Sequence, residues 1–174
     1  MNLCAGIVTT KQQGKHRMDY TSSDIARITR GSLTGSGSLV VADLLIDSRQ
    51  VSYIENTAFI AIKGVNHDGH DFIEELYSRG VRVFLVERLP ANTDFYPNAA
   101  FIVCENTVDA LQLLAASKRS RFESAVIAVT GSAGKTIVKE WLGDLLGRKA
   151  PVVRSPRSYN SQIGVPLSGW KLNE

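Results

Sequence analysis

The turn at residues 130–136 carries the residue types that bind phosphate groups, in the order Thr-Gly-Ser-Ala-Gly-Lys-Thr. Gly131 and Gly134 let backbone N–H groups converge on an anion, and the N-terminus of a following helix adds a partial positive charge. Lys135 can reach the terminal phosphates of a nucleotide, and the Thr136 hydroxyl can hold Mg²⁺. The turn is therefore interpreted as a nucleotide-binding loop.

The elements on either side of the turn favour this interpretation. An apolar run at 125–129 is typical of a buried strand. After the turn, apolar residues recur at helical spacing as far as Gly147, where a helix stop is expected. These residues are Ile137, Val138, Trp141, Leu142, Leu145 and Leu146. The usual pattern has a glycine five residues before Gly134, where this chain has Val129, so an ordinary strand-to-helix turn is the alternative.

Composition is that of a globular protein with a real core. The 174 residues are 44% hydrophobic and 21% charged, with a net charge of +3. No basic stripe interleaves with aromatics, so nucleic acid is not the expected partner. No apolar run approaches the ~20 residues that cross a bilayer. Cys4 and Cys104 lie far apart without paired spacing, which indicates reduced thiols and a cytoplasmic location.

Strands alternate with helices along the chain, which predicts an α/β fold. Residues 1–17 show no periodicity and end in a basic cluster, so they are predicted to be a disordered tail. A helix is expected from about residue 21, capped by Ser22 or Ser23. The further predictions are strands at 39–46, 58–62, 81–86, 99–104 and 152–154, and helices after Asp71 and at 107–119.

The polar stretch at 118–124 marks a domain boundary. It separates a domain at 18–121 from a shorter one at 122–174, which begins with the predicted phosphate-loop strand. About fifty residues are too few to close a nucleotide-binding sheet, so the second domain is expected to be incomplete. Val126, Ile127, Trp141 and Leu145 should then form a poorly covered apolar patch, although Trp141 is expected to belong to the inward face of its helix.

His67, His70 and Asp71 lie between predicted strands, and each could have another role. His67 and His70 have a His-x-x-His spacing, but without a third ligand nearby a zinc site is not favoured. Asp71 precedes an apolar helical pattern and is expected to cap that helix rather than act as a catalytic acid.

Five motifs occur in order with suitable gaps and together resemble the Mur ligases of peptidoglycan synthesis. They are Ile-Asp-Ser-Arg at 46–49, Phe-Ile-Ala-Ile-Lys-Gly at 59–64, Asp-Gly-His-Asp-Phe at 68–72, the phosphate loop at 130–136 and Tyr-Asn-Ser-Gln-Ile-Gly-Val-Pro at 159–166. The resemblance covers residue 19 to the end. It implies a small α/β domain that binds a UDP-sugar peptide, followed by the start of a P-loop ATPase domain.

The resemblance also implies the activity and the site residues. Within the family, the motifs most closely resemble those of the enzyme that uses ATP and Mg²⁺ to add D-alanyl-D-alanine to UDP-N-acetylmuramoyl-tripeptide through an acyl phosphate. The implied ATP-binding residues are Gly131, Ser132, Ala133, Gly134, Lys135, Thr136 and Ile137, with Lys135 and Thr136 catalytic and Mg²⁺ on Thr136. The implied substrate-binding residues are Ser48, Arg49, Val65, Asn66, His67 and Asn160.

The run at 158–162 resembles the form of the ligase that is fused to an alanine racemase, which would make this chain the head of a longer polypeptide. The fragment alone is expected to be inactive, because no carboxylate after Thr136 follows an apolar strand, where one would hold the metal. The alternatives are a non-catalytic module that binds a UDP-sugar and nucleotide phosphates, or another P-loop enzyme such as a folylpolyglutamate synthase or a kinase.

Overall fold

The computed structural model describes residues 6–10, 20–49, 54–64, 67–121, 125–150, 152–155 and 161–170. They form two compact units. The central-sheet unit is Asp19–Leu113, and the phosphate-loop unit is Met1–Met18 with Leu114–Glu174. The strands are β1 (Gly6–Thr10), β2 (Tyr20–Thr21), β3 (Ser32–Gly35), β4 (Val40–Val41), β5 (Asp43–Leu45), β6 (Thr57–Ile60), β7 (Val83–Val86), β8 (Ala100–Val103), β9 (Val126–Val129) and β10 (Val152–Arg154). The helices are α1 (Ser22–Thr29), α2 (Ile73–Ser78), α3 (Thr107–Arg121), α4 (Lys135–Gly147) and α5 (Gly164–Trp170).

A five-stranded sheet in the order β3-β8-β7-β6-β5 organises the central-sheet unit. Strands β5 to β8 are parallel, and β3 is antiparallel at the edge. The predicted α/β fold is thus confirmed. Because parallel strands share a direction, the segments that follow β5, β6, β7 and β8 all leave from one edge of the sheet. We call this edge the carboxyl edge.

Aromatic side chains fill one face of this sheet. The ring of Phe84 stacks on Phe101 with centroids 5.3 Å apart, and Phe59 meets Phe84 edge to face at 6.5 Å. Ile73 and Leu76 of α2 are buried in the same cluster. Every residue of β6 and β7 is buried, which accounts for the almost entirely apolar sequences of the two strands.

Helix α1 contacts β3 and β8. Its N-cap is Thr21, whose side chain accepts from the Asp24 N–H, while the Asp24 carboxylate accepts from the Thr21 N–H. The prediction of Ser22 or Ser23 as the cap was therefore wrong by one or two residues. The reciprocal pair satisfies two backbone donors at once, which no serine at the next position could do with Asp24.

The phosphate-loop unit has a three-stranded sheet in the order β10-β1-β9, with both pairings antiparallel. Strand β1 is its middle strand, so the prediction of a disordered tail was wrong for Gly6–Thr10. The run Gly-Ile-Val-Thr-Thr is rich in β-branched residues, which suit a strand. The basic cluster that follows obscured this short signal.

The division between the units also differs from the predicted boundary. The predicted segments were 1–17, 18–121 and 122–174, whereas the contacts divide the chain between Leu113 and Leu114 and place residues 1–18 with the second unit. The division falls inside α3, which is one continuous helix. A polar stretch in the sequence therefore did not coincide with a break in packing.

Replacing Leu76 by alanine should destabilise the central-sheet unit by roughly 2–5 kcal/mol, because its fully buried side chain would leave a cavity. Leu89→Ala is the matched control, since Leu89 is 41% exposed. Urea unfolding followed by circular dichroism measures both. Equal losses for the two variants would contradict the placement of the core.

Candidate functional site

The phosphate loop joins the end of β9 to the start of α4, as the sequence predicts. Gly131 has φ of 151° and Gly134 has φ of 77°, both in the region that favours glycine. A Cβ at Gly134 would meet nothing within 4 Å. Glycine is needed at this position for its backbone conformation, which turns the chain sharply into the helix, and not for space.

The N-terminus of α4 is open to an anion. No side chain caps it, and its first turn contains no acidic residue. The first N–H groups of a helix lack partners within the helix, and the helix dipole adds about half a positive charge there. This arrangement can bind a phosphate group with backbone donors alone.

The two side chains with predicted catalytic roles start the helix. The Lys135 ammonium donates to the carbonyls of Gly131 and Ser132. These bonds use two of its three N–H donors, so one remains for a phosphate oxygen. Thr136 is exposed at the second helical position. Among the described residues no cluster of His, Cys, Asp or Glu could hold a metal ion alone.

A buried lysine in α4, which the sequence analysis missed, fixes the helix to β10. Lys139 is only 2% exposed, and its Nζ donates to the Ser155 carbonyl at 2.8 Å and pairs with Glu140 at 2.9 Å. Arg154 contacts Glu140 at 3.0 Å and Asp144 at 2.7 Å. Hydrogen bonds from Lys139 and then Arg154 lower the pKa of Glu140.

The contacts of Lys139 and Arg154 explain why the apolar face of α4 is not the face that is buried. The inward side carries Lys139 and Gly143, and a Cβ at Gly143 would lie 2.1 Å from Nε of Arg154. Trp141 is 70% and Leu145 63% exposed, so the expectation that Trp141 faces inward was wrong. Val126 and Ile127 are half-buried. Periodicity located an apolar face but could not say which face the sheet would cover.

In the central-sheet unit, three of the predicted substrate-binding residues lie after neighbouring parallel strands. Ser48 and Arg49 follow β5, and His67 follows β6, so all three belong to the carboxyl edge. Ser48 is buried, and its carbonyl accepts from Arg79 at 2.9 Å. Arg49 is held by Asp47 at 2.9 and 3.0 Å and is 87% exposed.

Three predicted site residues, Val65, Asn66 and Asn160, lie outside the described residues. The loop that carries the first two is described at both of its ends. Lys63 and Asp68 form an antiparallel bridge, and the Gly64 N–H donates to the His67 carbonyl at 2.8 Å. The backbone therefore returns on itself next to His67.

A network of side chains that the sequence analysis did not assemble anchors this loop to the end of β7. The His70 ring contacts Asp68 at 2.6 Å, and Arg88 donates to the same carboxylate at 2.8 Å. Asp68 also caps a short 3-10 helix at Gly69–Phe72 by accepting from the His70 N–H. Asp68 is thus the capping residue, and the prediction of Asp71 was wrong because the helical turn begins earlier than the apolar pattern.

Comparisons with known proteins cover most of the chain. A family model described as "Mur ligase family, catalytic domain" matches residues 41–119. A UDP-N-acetylmuramoyl-tripeptide–D-alanyl-D-alanine ligase of Bacillus subtilis is 33% identical over 156 residues, which are 88% of this chain and 33% of that protein. The crystal structure of MurF from Acinetobacter baumannii is 29% identical, with a TM-score of 0.76 over 89% of this chain and 33% of that one. The chain belongs to the Mur ligase family.

A third similar protein has been solved with a bound nucleotide. The crystal structure of MurF ligase from Thermotoga maritima in complex with ADP is 31% identical, with a TM-score of 0.56 over 76% of this chain and 29% of that one. This chain spans about a third of the length of the Mur ligases it matches. The family model covers much of the central-sheet unit and does not reach the phosphate loop, so the loop's role is argued from its own geometry.

Replacing Gly134 by alanine should destabilise the phosphate-loop unit by about 1–2 kcal/mol, because an L-residue is strained at a φ of 77°. Gly147→Ala is the control. That glycine is the last residue of α4 and has no positive φ, so alanine should stabilise slightly, by less than the roughly 1 kcal/mol of a helix interior. Urea unfolding monitored by tryptophan fluorescence compares them, since Trp141 and Trp170 both lie in this unit. Effects of the same sign would contradict the turn geometry.

Asp68→Asn should change how stability depends on pH. The His70 backbone N–H, followed by Arg88 and the His70 ring, holds the Asp68 pKa below its ordinary value. A carboxylate of this kind stabilises the fold above its unfolded pKa of about 4, and the contribution is lost as pH falls below that value. The variant should be less stable by roughly 1.5–3 kcal/mol at neutral pH, and the difference should shrink towards about pH 2.

Asp94→Asn is the matched control, since Asp94 is exposed. Acid titration of unfolding, followed by circular dichroism, gives the free energies for all three proteins. If Asp68→Asn and Asp94→Asn showed the same pH profile, the network around Asp68 would not have the strength that its geometry implies.

Proposed function

We propose that this chain is the N-terminal part of an ATP-dependent ligase that joins D-alanyl-D-alanine to UDP-N-acetylmuramoyl-tripeptide in peptidoglycan synthesis. The observation that carries the proposal is an uncapped, acid-free helix start behind two glycines of positive φ, in a chain of the Mur ligase family. The names of its relatives give the substrates. The ligase would act in the cytoplasm, because its donor is nucleotide-linked and its energy source is ATP.

The phosphate-loop unit would bind ATP through Gly131–Ile137. The first-turn amides of α4 would hold the β- and γ-phosphates, and the third N–H of Lys135 would reach them. Mg²⁺ keeps several water ligands and takes others from phosphates, so the exposed Thr136 hydroxyl fits as a single protein ligand. When bound, the ion neutralises charge on the transferring phosphoryl group.

The carboxyl edge of the central sheet would bind the uridine diphosphate. Arg49 has five N–H donors in a planar fork, of which its pairing with Asp47 leaves several for a phosphate. Val65, Asn66 and His67 would contribute from the neighbouring loop, and Asn160 would line the active site.

Two displacements would then make the amide bond. An oxygen of the tripeptide carboxylate attacks the γ-phosphorus of ATP, the bond to the β-phosphate oxygen breaks, and ADP leaves. The amine of D-alanyl-D-alanine attacks the resulting acyl phosphate, inorganic phosphate departs and the nitrogen loses a proton. Lys135 would stabilise the charge that develops on the phosphoryl oxygens. A fused alanine racemase remains a prediction from residues 158–162.

Calorimetric titration of the chain with Mg-ADP and, separately, with a UDP-sugar tests both halves of the proposal. Lys135→Ala should weaken Mg-ADP binding about 10- to 100-fold, because a charged hydrogen bond is lost, and leave the UDP-sugar unaffected. Arg49→Ala should weaken binding of the UDP-sugar and leave Mg-ADP binding unaffected. Lys149→Ala and Arg27→Ala are matched controls, since Lys149 is exposed in the same unit as Lys135 and Arg27 is an exposed arginine paired with Asp24.

Each outcome identifies a different error. Nucleotide binding without uridine binding would favour another P-loop enzyme, such as a folylpolyglutamate synthase or a kinase. If Lys149→Ala weakened Mg-ADP binding as much as Lys135→Ala, net charge rather than the loop would be responsible. Ligation by this chain alone would overturn the expectation that it is inactive by itself.

A further inference from the structure

The carboxyl ends of β9 and β10 lie at the same end of the three-stranded sheet. Each strand pairs antiparallel with β1, so the two run parallel to each other. In the register of β1, Val8 is opposite both Ile127 and Arg154. The phosphate loop begins after Val129, and Ser155 directly follows β10. The loop and the end of β10 therefore leave the sheet at one edge, which we call the loop edge.

Lys139 joins α4 to the loop edge one helical turn after the phosphate loop. Its side chain is 3% exposed, and its Nζ donates to the Ser155 carbonyl at 2.8 Å. Lys135, by contrast, donates to carbonyls of the loop itself, at Gly131 and Ser132. The bonds of Lys135 close the loop on itself, whereas the bond of Lys139 connects the helix that follows to the end of β10.

Arg154 holds the next turn of the helix. Its guanidinium contacts Glu140 at 3.0 Å and Asp144 at 2.7 Å. It also lies across Gly143, where a Cβ would be 2.1 Å from Nε and 2.6 Å from Cζ. A glycine inside a helix costs stability relative to alanine. At this position it makes room for the arginine, which any side chain would displace.

Polar contacts thus hold α4 where a helix on a sheet ordinarily has apolar packing. Lys139 and Gly143 are its buried residues, whereas Trp141 and Leu145 are exposed. A buried ammonium must be paired, because its desolvation is costly. Hydrogen bonds weaken steeply away from their preferred distance and angle, whereas apolar burial has no preferred direction. The contacts of Lys139 and Arg154 therefore restrict the orientation of the helix.

We propose that Lys139 and Arg154 are positioning residues, which hold the first turn of α4 where its N–H groups and Lys135 can bind a nucleotide phosphate. This role rests on the proposed function, since that function places ATP at the phosphate loop. Lys139 and Arg154 act through α4 and bind no phosphate themselves. Their charges are already paired with the carboxylates of Glu140 and Asp144.

Two pairs of variants test the two residues separately. Lys139→Met keeps an unbranched side chain of similar helix propensity but removes the ammonium, and Lys149→Met makes the same change at an exposed lysine just after the helix. Gly143→Ala raises the helix propensity but displaces Arg154. Gly147→Ala makes the same change one turn later, where a Cβ would lie 3.9 Å from Nη2 of Arg154, in ordinary contact.

Three measurements separate positioning from stability. Calorimetric titration of the 174-residue chain with Mg-ADP gives the affinity, and urea unfolding gives the stability, both at a temperature at which the variant is folded. Amide NMR without ligand follows the N–H signals of Gly134, Lys135 and Thr136, which report the position of the first turn. A purely structural role would lower stability and leave both the affinity and these signals unchanged.

We expect Lys139→Met to weaken Mg-ADP binding about three- to tenfold and to shift the three amide signals, because the start of α4 loses its bond to the end of β10. Gly143→Ala should weaken binding about two- to tenfold, although alanine favours the helix. Lys149→Met and Gly147→Ala should bind Mg-ADP as the wild type does.

Wild-type affinity in the folded Lys139→Met variant would overturn the role of Lys139, and equal affinities of Gly143→Ala and Gly147→Ala would overturn that of Arg154. Equal weakening by Lys149→Met would assign the effect to net charge and overturn the proposal too. If Lys139→Met failed to fold, Gly143→Ala would decide, because it keeps the lysine. Weaker binding with shifted amide signals would then support the proposal, and wild-type binding would overturn it.

Failure of the proposed function has a different signature. If the wild-type chain bound no Mg-ADP, the nucleotide site itself would be wrong, and the positioning role would fail with it. If Lys135→Ala weakened Mg-ADP binding while Lys139→Met and Gly143→Ala did not, only the positioning role would be wrong.

Discussion

The uncapped, acid-free start of α4 is the feature on which the functional account depends. Helix starts are ordinarily satisfied by a side chain or by water. Here the preceding residue is Gly134, which has no side chain and whose left-handed conformation sets the direction of the turn. The donors, the dipole and Lys135 therefore all present positive charge at one place, and an anionic group is the ligand that complements them.

The second site that we propose, in the central-sheet unit, would form by a different principle. Parallel strands bring the segments after β5 and β6 to one edge, where loops rather than packed side chains determine chemistry. Arg49 and the Lys63–Asp68 loop belong to this edge. Short ionic contacts, rather than the aromatic core, hold the described residues of this edge: Asp47 pairs with Arg49, and Asp68 pairs with His70 and Arg88.

Local chemistry made part of this structure predictable. Gly131 and Gly134 ahead of Lys135 predicted the phosphate loop, and apolar runs predicted β6, β7 and β8. Strand β10 was predicted at its observed residues. The edge strand β3 was missed because Ser32–Gly35 is short and largely exposed, so it lacks an apolar signal. Strand β1 was missed because its pairing partners, β9 and β10, lie more than a hundred residues away.

The ionic contacts could not be predicted for the same reason. Lys139 meets Ser155 and His70 meets Glu87 only after the chain has folded, and no spacing in the sequence encodes either pair. Motif resemblance predicted site residues without showing how they are held. The buried lysine in particular contradicts an apolar pattern that favoured the opposite face of α4.

The most direct test of the central claim is amide NMR of the chain during titration with Mg-ATP. The account predicts that the N–H signals of Gly134, Lys135, Thr136 and Ile137 shift most, because these donors would bind the phosphates. Titration with magnesium alone should leave them nearly unchanged. Saturating Mg-ATP that left these four signals in place, or moved signals of the central-sheet unit instead, would contradict the claim that the start of α4 binds the triphosphate.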